Sequence, residues 1–479
     1  MTPSEPLHYL SATDALAAFR AKELSPVELL DAVIARAEAV EPTVNALCHT
    51  FYDEAREQAR AAEARYAGRG ETPRPLEGLP VSIKAEEAIE GHPWTQGSEI
   101  LRDVVAPYTS EFARRHLAAG AIVHARTTHP EFSCAGFTHS RMWGITRNPF
   151  NPDLAVGGSS GGAAASLASG TSTLASGSDI GGSIRIPAAA CGVVGFKPPY
   201  GRVPCDPPFN LDTYCHCGPL ARTVADCALY ENVLAGFDPG DITTLRDGVV
   251  LPAQLDGVSG LRVAVSIDLG GWPIEDDVRA NTLAVADALR TAGATVDEVD
   301  LVLPREEVMT ATAIHFQNGF AASIKAELSA HPELANDYVH GMVAFCEQYS
   351  AGRSAAAGLE IEARLYRPVG ALLEHYDALV VPTSCAASLT AGDSYMSPPA
   401  GGEGEPIADH LANFLTPVFN IMSRCPVLAV PSGFGTRGGP TGVQIAGRTY
   451  DDETVFRVGA ALEAVTPWDA RPELGAVPA

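Results

Sequence analysis

Two glycine-rich segments carry serines in settings that favour nucleophilic chemistry. The first, residues 157–162 (GGSSGG), precedes an alanine-rich stretch with the composition of a helix, and free N–H groups at a helix start attract negative charge. The second, residues 179–187, contains the run Gly181-Gly182-Ser183. Two glycines before a serine allow consecutive N–H groups to surround one point as an anion-binding nest. A serine there can attack a carbonyl while the nest binds the developing oxyanion.

A serine nucleophile needs a base, and the sequence offers a lysine for that role. No histidine lies between His139 and His216, so none is local to the two segments. A lysine can accept the proton when it is neutral, and burial favours the neutral amine. Lys84 ends the apolar, β-branched run 80–83, which indicates a strand. A surface lysine at the end of that strand is the alternative that the residues leave open.

The segment 157–187 resembles the signature of the amidase signature family. That family's motif is GGSSGG followed by a D-x-G-G-S-I-R-x-P block, and both halves match here at the family's spacing. Lys84, in GLPVSIK, also stands where the family has its lysine. Further blocks similar to the family's continue toward the C-terminus, so the resemblance covers roughly residues 8–465.

The resemblance implies an amidohydrolase that cleaves a carboxamide to a carboxylate plus ammonia or amine, with no cofactor or metal. Ser183 would be the nucleophile that forms an acyl-enzyme, and Ser159 a bridging serine held by a cis peptide bond. Lys84 would be the base that draws the proton through Ser159 and returns one to the leaving amine. The oxyanion N–H groups are expected from four consecutive residues: Ile180, Gly181, Gly182 and Ser183.

One departure from the family pattern lies beside the base. The family usually has an aspartate after the lysine, where this chain has Ala85 followed by two glutamates. If that aspartate helps to hold the loop, either the first of these glutamates, Glu86, substitutes for it, or Lys84 has a different position. Asp179 and Arg185 are expected to brace the serine loop rather than take part in the chemistry.

Apolar and aromatic residues around the signature indicate an apolar acyl pocket. The residues assigned to substrate binding are Cys134, Gly158, Phe137 and Tyr214, with Phe209 and Phe414 as further apolar lining. The segments 133–139, 204–217 and 384–404 should form the pocket but contain no motif that identifies the substrate. Aryl, aliphatic and peptide C-terminal amides, and carbamates, all stay open.

Three other functions fit parts of the sequence. GSSGG also matches the G-x-S-x-G elbow of α/β-hydrolases with Ser160 as nucleophile, but a turn rather than a strand precedes it. A phosphate binder would use the glycine loops, yet no G-x-x-x-x-G-K-[ST] run occurs. An amidotransferase subunit, or an acyl-transferring or carbamate-cleaving enzyme, would keep the same fold with a different function.

The elements that must position these residues alternate between strands and helices. Ser25-Pro26-Val27-Glu28 is a capping box before a helix, residues 110–120 have a helical pattern, and 121–125 that of a strand. Strand-like runs return at 378–382, 427–431 and 441–445. This alternation predicts an α/β class, and the resemblance implies the amidase signature fold: a large mixed, twisted β-sheet flanked by helices on both faces.

The whole chain, residues 1–479, is predicted to be a single amidase domain with four parts. A helical segment covers about 8–65, the signature core about 75–230, and a helical region without readable motifs about 235–375. A sheet-completing segment covers about 376–465.

The charge composition of the chain limits the classes of molecule that it is expected to bind. The chain has 33 Lys and Arg against 58 Asp and Glu, a formal charge of −25 and a pI of about 4.8, which disfavours nucleic acid and anionic membranes. Without a signal peptide or an apolar span, a cytoplasmic location with reduced cysteines is expected. The predicted partner is a small-molecule amide, and a homodimer stays open. The alternative of a zinc site rests on one group of residues: Cys205, Cys215, Cys217, Cys227 and His216.

Overall fold

A computed structural model of the protein describes residues 6–393 and 411–474. Within them the strands are β1 Leu47–Thr50, β2 Pro80–Lys84, β3 Ile122–Thr127, β4 His139–Ser140, β5 Gly144–Ile145, β6 Leu174–Asp179, β7 Val194–Lys197, β8 His216–Ala221, β9 Arg262–Val265, β10 Thr295–Glu298, β11 Ala378–Pro382, β12 Val427–Phe434 and β13 Pro440–Gly447. The α-helices are α1 Ala12–Ala21, α2 Pro26–Val44, α3 Tyr52–Tyr66, α4 Glu111–Ala118, α5 Gly161–Ser169, α6 Arg185–Cys191, α7 Val224–Leu234, α8 Asp276–Thr291, α9 Arg305–Asn318, α10 Phe320–Leu328, α11 Asp337–Ser350, α12 Ala355–Leu373, α13 Pro417–Ile421 and α14 Asp452–Val465.

Eleven of these strands form one mixed sheet in the order β1-β3-β2-β6-β8-β7-β12-β13-β11-β9-β10. Strands β3, β2 and β6 run parallel, as do β11, β9 and β10, while the pairs between β6 and β11 are antiparallel. The sheet thus joins strands of the signature core to strands of the C-terminal segment. The assignment of the whole chain to a single domain stays a prediction.

Helices cover both faces of the sheet because its strands are apolar on both sides. Alternate residues of β12 show this: Leu428 and Val430 pack into a core with α7, α8 and α14. Ala429, between them, packs on the opposite face with α5 and α6, and Val427 joins the core of α9, α11 and α12. The predicted α/β class with a large helix-flanked mixed sheet is confirmed.

Local sequence signals agree with the observed boundaries. Helix α2 begins with the predicted capping box, in which Ser25 accepts from the Glu28 N–H and the Glu28 side chain accepts from the Ser25 N–H. Helix α4 and strands β2 and β3 lie where the sequence patterns put them. None of the helices in the described part of the chain combines the length and apolar character that crossing a membrane requires.

The parallel pair β2 and β6 determines where the chemistry can be. Val81 pairs with Leu174 and Ser82 with Ala175, so both strands end at the same edge of the sheet. Side chains at the carboxyl ends of parallel strands therefore come together there. Lys84 is the last residue of β2 and Asp179 the last of β6.

Candidate active site

Lys84 is the centre of a buried polar cluster at this edge. Its side chain is fully buried, and its Nζ donates to Ser159 Oγ at 2.8 Å and to Ser178 Oγ at 2.9 Å. The interpretation of Lys84 as a surface lysine is therefore wrong. The register of β2 against β6 brings Lys84 beside Ser178, and the loop before α5 brings Ser159 to both.

Glu86, the second residue after the lysine, lies beside Lys84. Its Oε2 lies 2.7 Å from Lys84 Nζ and accepts from Ser178 Oγ at 2.6 Å. Burial alone would raise the pKa of Glu86, but the Lys84 ammonium, His129 and these hydrogen bonds lower it to about 2. The Glu86 carbonyl accepts from Trp94 Nε1 at 2.7 Å and Gln96 Nε2 at 3.1 Å, which orients the segment. A carboxylate thus contacts the lysine, supplied from the second position after it.

The two serine loops need glycine for steric reasons. The Gly158–Ser159 peptide bond is cis, and a Cβ at Gly158 would overlap the Phe137 carbonyl oxygen. Gly182 has a φ of +125°, and a Cβ there would overlap Thr416 Oγ1. The Thr416 hydroxyl in turn donates to the Gly181 carbonyl at 2.7 Å. The glycine-rich composition therefore reflects backbone packed closely against backbone and side chains.

Asp179 and Arg185 form a fully buried ion pair beneath the second loop. Arg185 Nε and Nη2 each donate to the Asp179 carboxylate at 2.9 Å, and its remaining donors reach Gln444 and Asn420 at 2.7 Å. Although burial opposes ionisation, Arg185 and Asn420 hold the pKa of Asp179 well below its usual range. The pair ties the start of α6 to β13 and α13, the bracing role expected from the sequence.

The bracing changes which backbone groups are free to bind an oxyanion. The Gly182 N–H donates to Asp179 Oδ1 at 2.8 Å, and the Ile184 N–H donates to Asp179 Oδ2 at 3.2 Å. Asp179 thus competes for the Gly182 N–H, and the predicted contribution of Gly182 to the oxyanion site stays a prediction. The N–H groups of Ile180, Gly181 and Ser183 stay as the predicted donors.

Ser160 does not fit the α/β-hydrolase alternative. It is fully buried, and its Oγ lies 3.4 Å from the Ser178 carbonyl and 3.3 Å from the Ser178 N–H. No strand directly precedes the loop, since β5 ends at Ile145 and α5 follows. Ser160 instead fastens the first serine loop to β6.

Two cavities meet at the Ser183 loop. The smaller, of about 40 Å³, is lined by Cys134, Ile180, Gly181 and Ser183 together with Met309, Phe316, Met342, Phe345 and Phe414. The larger, of about 390 Å³, reaches Ser159, Ser178 and Glu86. Ser133, Ile180 and Phe320 line both. A space of a few hundred Å³ next to such a polar cluster is typical of a small-molecule site.

The structure separates the residues that were predicted to contact the substrate. Cys134 and Phe414 line the smaller cavity and Phe209 the larger. Three others line neither of these two cavities, and their contact with the substrate stays a prediction. Phe137 stacks on His139 at 4.5 Å, Tyr214 stacks on His315 at 3.6 Å and donates to Glu362 at 2.7 Å, and Gly158 lies against the backbone of 135–137. Residues 394–404 of the third predicted pocket segment lie outside the described residues.

Sequence reasoning missed the apolar side chains that α9–α11 send to the smaller cavity: Met309, Phe316, Phe320, Met342 and Phe345. Their helical spacing is that of ordinary core residues. No signal in the chain distinguishes them from neighbours such as Val308 and Val339, which pack in the same core. Only their position opposite Ser183 makes them part of a site.

The cysteine group does not form a metal centre in the described residues. Cys205 and Cys217 have their Sγ atoms 3.3 Å apart, while the Cys227 thiol donates toward the Pro219 carbonyl. Throughout 6–393 and 411–474, no three His, Cys, Asp or Glu side chains come together in a way that could hold a metal ion. His216 contacts backbone carbonyls of Tyr214 and Ser423.

Comparison by sequence finds relatives along nearly the whole chain. The family model described as Amidase matches residues 28–456. A glutamyl-tRNA(Gln) amidotransferase subunit from Chloroflexus aggregans is 35% identical, and the match covers 97% of this chain and 98% of that protein.

Comparison by structure finds the same architecture. A bacterial aryl acylamidase of the amidase signature enzymes superposes with a TM-score of 0.88 at 30% identity, covering 97% of this chain and 98% of that one. A 6-aminohexanoate cyclic dimer hydrolase superposes with a TM-score of 0.85 at 28% identity, covering 97% and 99%.

Proposed function

Because the chain belongs to the amidase signature family and is an amidase-type enzyme, we propose that it hydrolyses a carboxamide through an acyl-enzyme on Ser183. The products are a carboxylate and ammonia or an amine. The observation that carries the proposal is the hydrogen bond of 2.8 Å from the fully buried Lys84 Nζ to Ser159 Oγ, next to the Ser183 loop. Inside the protein such a contact provides a proton path that does not depend on bulk water.

In the proposed reaction, Lys84 first releases a proton from its ammonium form and then takes the proton of Ser159, while Ser159 takes that of Ser183. Ser183 Oγ attacks the amide carbon, and the oxyanion is held by the N–H groups of Ile180, Gly181 and Ser183. The proton then returns through Ser159 to the leaving nitrogen, and the C–N bond breaks. Water attacks the acyl-enzyme by the same relay, which releases the carboxylate and restores Ser183.

Glu86 has a positioning role in this scheme. Its contacts with Lys84 and Ser178 hold the ammonium end of the lysine in line with Ser159. The negative charge of Glu86 also stabilises Lys84 while it carries the proton.

An amidotransferase subunit is the second candidate, and the sequence relatives agree with it better than with an independent hydrolase. Such a protein would accept glutamine, whose α-ammonium and α-carboxylate need charged or strongly polar partners. Among the described residues that line the smaller cavity, none carries a charged side chain. That apolar lining supports an uncharged acyl group and therefore favours the independent amidohydrolase.

The proposal includes predictions on the setting of the enzyme. Its substrate would be a small-molecule amide, it would act in the cytoplasm, and it would need no cofactor. A homodimer stays open, whereas an amidotransferase subunit would require a different protein partner.

The test is hydrolysis by the purified chain without any partner. Release of ammonia or amine is measured across a panel of aryl, aliphatic and peptide amides and glutamine, with Ser183→Ala as the inactive control. A fluorophosphonate should label the wild type at Ser183 and leave Ser183→Ala unlabelled. Activity on glutamine alone, or only after a partner is added, would favour the amidotransferase, and labelling at Ser160 would contradict the mechanism.

A further inference from the structure

The two cavities adjoin each other and reach different members of the proposed proton relay. Ser183 lines the smaller cavity and Ser159 the larger. In the proposed function, on which this inference rests, Ser159 returns the proton to the leaving nitrogen, so that nitrogen must face Ser159. The leaving amine therefore extends into the larger cavity and the acyl group into the smaller.

The size and lining of the larger cavity fit a bulky aromatic leaving group. Its volume is about 390 Å³, against about 40 Å³ for the smaller cavity. Aromatic rings stand around it: Trp94, Tyr108, Phe132, Phe209 and Phe320. Aromatic rings stack on one another and also attract cations to their faces.

All the charged side chains among its described lining residues are acidic: Glu86, Glu87, Asp206 and Glu327. Glu86 is balanced by the Lys84 ammonium. Glu87 differs, because the groups that donate to its carboxyl oxygens are neutral: the Ser110 hydroxyl at 3.2 Å and the Cys217 thiol at 3.8 Å. Burial, and then the nearby carboxylates of Glu86 and Asp206, raise the pKa of Glu87 to about 8.

We propose that the leaving group of the substrate is an aromatic amine that carries a positive charge away from the scissile nitrogen, and that Glu87 selects it. Because the pKa of Glu87 is about 8, its carboxyl is mostly protonated at neutral pH, and a cation bound beside it stabilises the ionised form. The aromatic rings around the cavity attract the cation to their faces. An anionic leaving group would meet only like charges in this cavity, and the formal charge of −25 on the chain disfavours its approach.

The experiment compares two acetanilides of equal shape and different charge. One carries a para trimethylammoniomethyl group and the other a para 2,2-dimethylpropyl group, so the quaternary nitrogen replaces a carbon. We expect wild-type kcat/KM to favour the cation by about tenfold. Glu87→Gln should reduce that ratio at least about fivefold.

Glu90→Gln is the matched control. Glu90 lies three positions after Glu87 in the chain, is exposed, and is outside the cavity lining, so its replacement makes the same chemical change away from the cavity. It should leave the ratio of the two substrates unchanged, which separates local recognition from the overall field of the protein. A wild-type preference for the neutral anilide would overturn the inference. An unchanged ratio in Glu87→Gln would overturn it as well.

Binding to Ser183→Ala separates this inference from the proposed function. Calorimetry measures Kd for both anilides with Ser183→Ala and with Ser183→Ala/Glu87→Gln. If wild type hydrolyses neither anilide but the cationic one binds Ser183→Ala about tenfold more tightly and loses that advantage in the double variant, the cavity assignment stands and the proposed reaction fails. Equal binding of the two anilides to Ser183→Ala contradicts the cavity assignment.

Discussion

Two regions of the chain line the smaller cavity at Ser183 and differ in composition. One is the segment 84–190, which contains Ser183, and the other is the group of helices between residues 305 and 350. The first is rich in glycine and serine, and its polar groups bond one another in a fully buried network around Lys84 and Asp179. The second contributes apolar side chains, which line the smaller cavity and offer van der Waals contact rather than hydrogen bonds. Chemistry depends on a few groups at defined distances, whereas acyl selectivity depends on the shape of a wall. Substitutions in the two regions should therefore affect different quantities.

The largest effect is expected at Lys84. Lys84→Ala should lower kcat/KM by about 10³-fold or more, nearly as much as Ser183→Ala, because the members of a proton relay act as a unit. Ser159→Ala should retain more activity than either, since a water molecule can partly replace a bridging hydroxyl. The measurement is steady-state kinetics of the three single variants and of Lys84→Ala/Ser183→Ala. Losses that multiply in the double variant would show that Lys84 acts independently of Ser183.

A large effect on stability is expected at the brace beneath the second loop. Asp179→Asn leaves Arg185 buried without its carboxylate, which should cost roughly 3–5 kcal/mol of unfolding free energy by urea denaturation. It should also lower kcat, because Asp179 orients the Gly182 and Ile184 N–H groups. Asp452→Asn is the control: it removes the carboxylate of a buried pair with Arg202 away from the site, so kcat should persist while stability falls.

The lowered pKa of Asp179 also predicts that the unfolding free energy depends on pH. The folded pKa of Asp179 is lowered below its ordinary value, so its contribution to stability is complete above the unfolded pKa, near 4. The contribution is lost as the pH falls toward the folded pKa. Between about pH 4 and 2, the unfolding free energy of wild type should fall more steeply than that of Asp179→Asn, by up to about 1.4 kcal/mol per pH unit. Equal slopes would mean that Asp179 does not titrate in this range.

A moderate effect, confined to selectivity, is expected in the apolar wall. Phe316→Leu should enlarge the smaller cavity and shift kcat/KM toward longer acyl groups by up to about tenfold. The assay uses a series of anilides that differ only in acyl length. Phe456→Leu, buried on the opposite face of the sheet against Phe196, should lose comparable stability without altering the order of the series. A drop in kcat that is equal for all acyl lengths would assign Phe316 to the chemistry instead.

The smallest effect is expected at Tyr214. Tyr214→Phe removes a hydrogen bond of 2.7 Å to Glu362 and should cost about 1 kcal/mol of stability. The values of kcat and KM should stay within about twofold of wild type, because the ring packs on His315 rather than lining a cavity. A selective rise in KM would restore the substrate contact that the sequence predicted.

Much of the catalytic region could be predicted from residue types and short spacings. A lysine that ends an apolar strand and serines flanked by glycines made Lys84, Ser159 and Ser183 candidates, and the resemblance to the amidase signature family joined them into one site. The capping box of α2 and the strands of the core were predicted because each of their signals lies within a few residues of the chain. Assignments that required distant contacts could not be made from spacing alone: Phe137 and Tyr214 were predicted to contact the substrate, and the folded chain packs both against other aromatic rings.

The sequence by itself determined the α/β class and the acidic charge, since local pattern and composition encode these, and its resemblance to the amidase signature family indicated the residues of the lysine and serine cluster. Only the tertiary structure decided that Glu86 contacts Lys84, that Asp179 takes the Gly182 N–H, and that α9–α11 form the wall opposite Ser183. Each of these depends on groups that the fold of the sheet and its helices brings within contact distance, and spacing along the chain does not encode that distance.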